Sequence, residues 1–151
     1  MDRNHYRFLS RWPLPFGTAA VYRALEQVED YPHWWPQVRS VTRLNDTTGV
    51  LTIRSVLPYD ITFTARETRR DPQAGVLETG MTGDIEGWAR WTVVADGADG
   101  AGALARYEQV VDVNKALLRR LAVPGRPLFR ANHRLMMRSG RRGLLGHLQA
   151  V

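Results

Sequence analysis

RPLFRANHRLMMRSGRRGLLGHL, residues 126–148, has a strong helical periodicity. At about 100° per residue, its arginines gather on one side of a helix. The other side carries Leu128, Asn132, Leu135, Met136, Ser139, Gly143 and Gly146. We therefore predict a long amphipathic C-terminal helix over 127–148, with this second side facing inward and the arginine side facing water.

Upstream of this helix, apolar and polar residues alternate over seven segments, which predicts β-strands. The segments are 3–14, 38–44, 50–57, 60–70, 75–85, 88–95 and 103–113. Turn-forming residues separate them, as expected of an antiparallel meander. Between the first two strands, the spacing predicts a helix over 18–28 and a single helical turn bracketed by Pro32 and Pro36. A further short helix is predicted over 114–121.

The last two strands predict their own register. If residues 96–101 form a hairpin loop, Trp91 lies opposite Tyr107 and Val93 lies opposite Ala105. The same face of the sheet then also carries Gln109, Val111 and Val113. Charged side chains occupy the other face, so we predict that the face with Trp91 and Tyr107 is the buried one.

Length and composition suit one domain over residues 1–151. The chain is 44% apolar and 24% charged, which is ordinary for a globular protein. It has no cysteine, which excludes disulfides, cysteine-ligated zinc and a thiol nucleophile. It also lacks an apolar run of about 18 residues and the layout of a signal peptide at its start, so we expect a cytoplasmic protein.

The charge of the chain is unevenly distributed. The net charge is +6, yet all 15 acidic residues lie before residue 113, and the C-terminal segment 114–151 carries nine basic residues. Such a segment fits an anionic partner. The alternative is a compositional bias toward arginine, because Lys115 is the only lysine among the 21 basic residues.

Three segments contain distinctive motifs in addition to their periodicity. They are YPHWWPQV at 31–38, preceded by PF at 15–16 and YRAL at 22–25; GDIEGWARW at 83–91; and LAVPGRPLFRANHRLMMRSGRRGL at 121–144. Together they resemble the START-like (SRPBCC) superfamily, and within it the bacterial polyketide cyclase/dehydrase and lipid-transport-like proteins. The Bet v 1 pollen allergens share the same fold.

The resemblance implies an α+β helix-grip fold. In that fold a curved antiparallel sheet of six or seven strands, with two short helices after the first strand, surrounds a long C-terminal helix. It also implies a cavity between sheet and helix for hydrophobic or aromatic small molecules, such as lipids or polyketides. Because fold does not determine activity, two functions stay open: ligand binding, and aromatase/cyclase-dehydratase action on a poly-ketone.

The candidate site residues are those predicted to face the cavity or its opening. For ligand binding they are Trp34, Trp35, Phe63, Trp91, Tyr107, Gln109, Asn132, Leu135, Met136 and Ser139. A structural role in the core is the alternative for most of them. Tyr107 and His133 are weak candidates for proton transfer, and packing of His133 on the first strand is the alternative there.

Two arginines bear on the choice between binding and catalysis. Cyclases of the family that the chain resembles are thought to hold and polarise the poly-ketone with an interior arginine and a tyrosine. Strand alternation turns Arg54 and Arg66 outward, so no interior arginine can be assigned and binding is favoured. The four histidines lack metal-ligand spacing and no nucleotide-binding motif occurs, so we expect neither a metal nor a cofactor.

The expected partner is a hydrophobic small molecule. The arginine side of the C-terminal helix lacks the interleaved aromatic residues that stack on bases, so no nucleic acid is expected. Weak contact of that side with an anionic membrane surface is expected instead, and the chain is expected to be a monomer or a homodimer.

Overall fold

The computed structural model describes residues 5–54, 60–97, 99–114 and 126–150, without the side chains of Arg126 and Leu128. The helix predicted over 114–121 falls almost wholly outside these residues. The described part forms one antiparallel sheet, two short helices and a long C-terminal helix. The predicted helix-grip architecture is therefore confirmed, and the sheet has seven strands.

The sheet is an antiparallel meander to which the first strand is added beside the last. Its strands are β1 (His5–Leu14), β2 (Val38–Arg43), β3 (Thr48–Arg54), β4 (Asp60–Asp71), β5 (Val76–Gly83), β6 (Ile85–Asp96) and β7 (Gly102–Val113). They lie in the order β1-β7-β6-β5-β4-β3-β2, and every neighbouring pair is antiparallel. Sequential strands are thus neighbours throughout β2 to β7, as short turns require.

The predicted register of the last two strands is confirmed. Trp91 pairs with Tyr107, and Val93 pairs with Ala105. This face is the buried one: Ala105 is fully buried, and Trp91 is 7% exposed. The opposite face carries Arg90, which forms an ion pair with Glu78 of β5 at 2.5 Å. Polar cross-strand pairs on the outside and apolar rows on the inside therefore set the orientation of the sheet.

The connection between β1 and β2 carries the short helices α1 (Thr18–Glu26) and α2 (Tyr31–Trp34), with a 3-10 turn at Val28–Asp30 between them. Tyr31 donates a hydrogen bond from its hydroxyl to the carbonyl of Leu25 at 2.5 Å. This bond joins the two helices, and both residues are buried. The Trp34-Trp35 pair that follows is consequently held at one end of the sheet.

The C-terminal helix α3 (Arg126–Gln149) packs against that tryptophan pair through two glycines. A Cβ atom on Gly140 would lie 2.5 Å from the Trp35 ring, and one on Gly143 would lie 1.6 Å from the carbonyl oxygen of Trp34. The Trp35 indole N–H also donates to the carbonyl of Met136 at 2.9 Å. The glycines thus serve close packing, which only a residue without a side chain permits.

This packing corrects the predicted rotation of the helix. Among the described side chains and glycines of α3, Met137, Gly140 and Leu144 are the buried residues, and Leu144 is fully buried. Leu135, which we predicted to face inward, is 50% exposed. The buried face is rotated by about 120° from the predicted one, because the tryptophan–glycine contact orients the helix more strongly than its apolar periodicity does.

We expect Gly143→Ala to lower the free energy of unfolding by about 2 kcal/mol or more, because the added methyl group collides with the backbone of Trp34. Gly146→Ala is the matched control, since nothing lies within 4 Å of its Cβ position. That variant should gain up to about 1 kcal/mol from helix propensity. Urea unfolding of both variants checks the prediction, and equal shifts would contradict the packing described above.

Candidate ligand-binding cavity

A cavity of about 260 Å³ lies between the concave face of the sheet and the N-terminal half of α3. Its wall is mainly apolar and aromatic. The central residues are Tyr31, Trp35, Leu51, Phe63, Leu77, Met81, Ala89, Trp91, Tyr107, Val111, Phe129, Met136 and Met137. Since an apolar cavity of about 150 Å³ suffices for benzene, this volume suits a molecule of two fused rings.

A hydrogen-bonded pair of polar side chains lies within the mainly apolar wall. Gln109 of β7 is 7% exposed, and its side-chain oxygen lies 3.1 Å from Nε2 of His133 on α3. The amide nitrogen faces the Met81 thioether, which cannot donate, so the oxygen is the end that accepts here and His133 Nε2–H is the donor. The imidazole also stacks on Phe8, with ring centroids 3.8 Å apart. Two strands of the sheet therefore hold the histidine ring, β7 through the hydrogen bond and β1 through the stacking.

Burial lowers the pKa of His133 to about 4. The imidazole is consequently neutral at physiological pH, and it is a weak base there. A general base works best when its pKa lies near the working pH, so this environment does not favour His133 as a catalytic base. Its position instead suits a hydrogen-bonding role within the cavity wall.

Tyr107 also contributes its ring to the cavity, next to Trp91 at 4.7 Å between centroids. Burial raises the pKa of the Tyr107 hydroxyl well above its ordinary value, and it does the same for Tyr31. Both hydroxyls stay protonated and can donate hydrogen bonds. Neither can supply a phenolate near neutral pH.

The rim of the cavity near β2 and β4 is charged, and the sequence did not reveal this. Arg70 forms ion pairs with Glu67 at 2.8 Å and with Glu26 of α1 at 3.7 Å, and Arg43 forms one with Glu29. All five residues line the cavity. Each arginine is thus matched by at least one carboxylate from the rim itself.

A β-bulge explains why strand alternation does not predict the charged rim. Strand alternation through Phe63 and Glu67 would turn Arg70 away from the cavity, but the pairing of β4 with β5 shifts between Glu67 and Arg69. The extra residue, Thr68, restores Arg70 to the same side as Glu67. A period-two argument cannot detect such an insertion.

The structure brings most of the predicted site residues together. Trp35, Phe63, Trp91, Tyr107, Gln109, Asn132 and Met136 line the cavity, as does His133. Trp34, Leu135 and Ser139 do not belong to its wall. Trp34 packs instead against Trp12, Trp35 and the glycine face of α3, so it belongs to the core and not to the cavity opening. Leu135 and Ser139 lie outside because of the rotation of the helix.

The arginines considered in the sequence lie outside the cavity as well. Arg54 and Arg66 are both exposed, in agreement with strand alternation. Among the described residues, no group of three histidine, aspartate or glutamate side chains is placed to hold a metal ion. None of the described helices is long and apolar enough to cross a membrane.

Comparison with protein families gives a match to the family described as polyketide cyclase/dehydrase and lipid transport, over residues 14–136. The chain belongs to this family. The match runs from the last residue of β1 to the middle of α3, and so it includes β2 to β7 and the half of the helix that faces the cavity. A search of curated proteins finds no significant match.

Solved structures share the fold of this polyketide cyclase/lipid transport family member. The protein TTHA0849 from Thermus thermophilus has a TM-score of 0.82 at 14% identity, with 96% of this chain and 98% of the other covered. The Zhui aromatase/cyclase from Streptomyces sp. R1128 has a TM-score of 0.75 at 14% identity, covering 96% and 94%. A START superfamily protein from Mycobacterium smegmatis has a TM-score of 0.73 at 15% identity, and the match covers 95% of this chain and 97% of the other. At such identities the likeness shows the fold alone.

Titration of His133 should make the protein less stable as the pH falls from 6.5 toward 4. In that window an unfolded histidine is protonated while the buried one is not, so the unfolded state binds more protons. The free energy of unfolding should fall by at most about 1.4 kcal/mol per pH unit. Urea unfolding of the wild type and His133→Phe between pH 4.5 and 7 checks this. The stability difference between the two should change with pH, and parallel curves would contradict the buried neutral state.

Proposed function

We propose that the protein binds a hydrophobic or aromatic small molecule, of lipid-like or polyketide-like character, in the cavity between the sheet and α3. The observation that carries this proposal is the cavity itself: about 260 Å³ enclosed mainly by aromatic and aliphatic side chains, with few polar groups. Ligand sites have this composition. The cytoplasmic location and the monomeric or dimeric state stay predictions.

Cyclisation and dehydration of a poly-ketone is the second candidate, and the family and the fold shared with an aromatase/cyclase favour it. The charged and titratable side chains of the cavity support catalysis less well than they support binding. Arg43 and Arg70 are at the rim and engaged with carboxylates, and His133 is a weak base. A changed product distribution on incubation with a reactive poly-ketone would establish catalysis, and Tyr107→Phe would then test the tyrosine as a proton donor.

Filling the cavity should abolish binding. Ala65 lies on the cavity wall, and Ala65→Phe would place a phenyl ring in more than half of the space. We expect the affinity for the fluorescent probe N-phenyl-1-naphthylamine to fall at least tenfold. Ala95→Phe, at an exposed position of β6, is the control and should bind like the wild type. Equal binding by both variants, with folding intact, would refute the cavity as the site.

A second proposal concerns the exposed arginines of α3, which support weak contact with an anionic membrane surface. Arg130, Arg134, Arg138 and Arg142 are all exposed, and they follow one another at four-residue intervals. None of the ion pairs found among the described residues involves them. A basic stripe without local counter-charges is attracted to anionic lipid headgroups.

Arg134→Gln/Arg138→Gln should weaken co-sedimentation with vesicles of phosphatidylserine and phosphatidylcholine by about thirtyfold, at about 1 kcal/mol for each of the two arginines near the surface. Arg54→Gln/Arg66→Gln removes the same charge from exposed positions of the sheet and serves as the control. Equal loss in both double variants would mean that net charge, and not the stripe, drives the contact. Absence of wild-type binding in low salt would exclude the contact.

A further inference from the structure

The side-chain amide of Gln109 is buried, and its two ends have unequal partners. The oxygen accepts from His133 Nε2 at 3.1 Å. The nitrogen has only the thioether of Met81, at 3.5 Å. Sulfur of this kind is a weak acceptor, and an amide nitrogen carries two protons to donate. Within the described part of the chain, the donor capacity of this buried amide is therefore largely unused.

A buried donor without an adequate acceptor is costly to the folded state. Gln109, Met81 and His133 all line the cavity, so an occupant of the cavity lies within reach of this group. We propose that the Gln109 side-chain nitrogen is a specificity-determining donor, which selects ligands that present an uncharged acceptor oxygen, such as a carbonyl, to β7. This inference rests on the proposed function and names the chemical class that the cavity takes.

The charges around the cavity explain why the oxygen belongs to a neutral group. Gln109, Ala89, Thr79 and Glu67 form one cross-strand row, so the charged rim lies three strands, or about 14 Å, from the amide. Arg70 is already paired with Glu67 there. The imidazole beside Gln109 is neutral. A carboxylate placed at Gln109 would therefore be buried without a compensating cation, which is strongly unfavourable.

His133 acts as a positioning residue for this donor. A glutamine amide can rotate by half a turn and exchange its oxygen and nitrogen. Because the Met81 thioether can accept but cannot donate, the amide keeps its nitrogen directed at Met81 and its oxygen directed at His133, whose Nε2–H donates to it. The stacking on Phe8 limits movement of the imidazole. Loss of the histidine should therefore weaken the selection of a carbonyl without removing the cavity.

The test uses three probes that share a naphthalene ring: 2-acetylnaphthalene, 2-isopropenylnaphthalene and 2-naphthoate. The first two have nearly the same shape, and only the ketone offers an acceptor oxygen. Calorimetric titration of the wild type should give the ketone about fivefold tighter binding than the alkene, in the range for one neutral hydrogen bond. The naphthoate should bind more weakly than either.

Gln109→Met keeps the length of the side chain and removes the donor. In this variant the ketone should lose its advantage, so that ketone and alkene bind with affinities within about twofold of each other. Gln109→Leu is the second variant, used if the first does not fold as the wild type does. His133→Phe should retain alkene binding, keep the stack on Phe8, and reduce the ketone-to-alkene ratio.

The outcomes separate this inference from the proposed function. Equal binding of ketone and alkene by the wild type, or equal changes for both in Gln109→Met, overturns the inference and leaves the cavity as a ligand site. Tightest binding of the naphthoate overturns the requirement for a neutral group. If neither neutral probe binds the wild type, and Ala65→Phe does not alter binding of N-phenyl-1-naphthylamine, both the inference and the proposed function fail.

Discussion

Gly143 lets α3 touch the backbone of Trp34 directly, and Gly140 lets it touch the rings of Trp35 and Trp12. This contact determines the rotation of the helix about its axis, and so it determines which residues of α3 reach the sheet. It also fills the end of the molecule near Trp12, whose ring lies 5.3 Å from that of Trp35. The remaining space opens where the contact ends, between the sheet and the first half of the helix. The position of the cavity thus follows from dense packing elsewhere.

The sheet could be predicted from the sequence because its signal is local. Alternation located the strands, and a single assumption about the loop after β6 placed Trp91 opposite Tyr107. The resemblance of the tryptophan and C-terminal segments to a known family supplied the order of the layers. Once the strands and the order of the layers are known, the cavity residues on β4, β6 and β7 can be predicted, because side chains on a strand point to only one of two faces.

The helix face and the rim could not be predicted in the same way. A helix offers a continuous range of rotations, and small residues carry little weight in a hydrophobic periodicity. The periodicity therefore does not predict the close approach at Gly140, and its prediction that Leu135 and Ser139 face the cavity is wrong. The rim depends on the bulge at Thr68, where one extra residue reverses the direction of Arg70. Both features arise from contacts between segments far apart in the chain.

The cavity separates its charges from its interior polar pair. Ion pairs from α1, the 3-10 turn, β2 and β4 surround the rim, while the amide and imidazole inside carry no charge. A family fold that serves both transport and catalysis is compatible with many interiors. In this one, the neutral wall around Gln109 distinguishes the chain more clearly than its overall shape does.

The tryptophans give the molecule an optical property. Trp12, Trp34, Trp35 and Trp91 form one continuous series of ring contacts, and only Trp35 and Trp91 of these line the cavity. Trp88 lies apart, beneath the guanidinium of Arg90 on the outer face. Excitation absorbed anywhere in the series can pass between closely spaced indoles to the two that border the cavity. The chain therefore contains an intrinsic fluorophore array whose emission reports what occupies its interior.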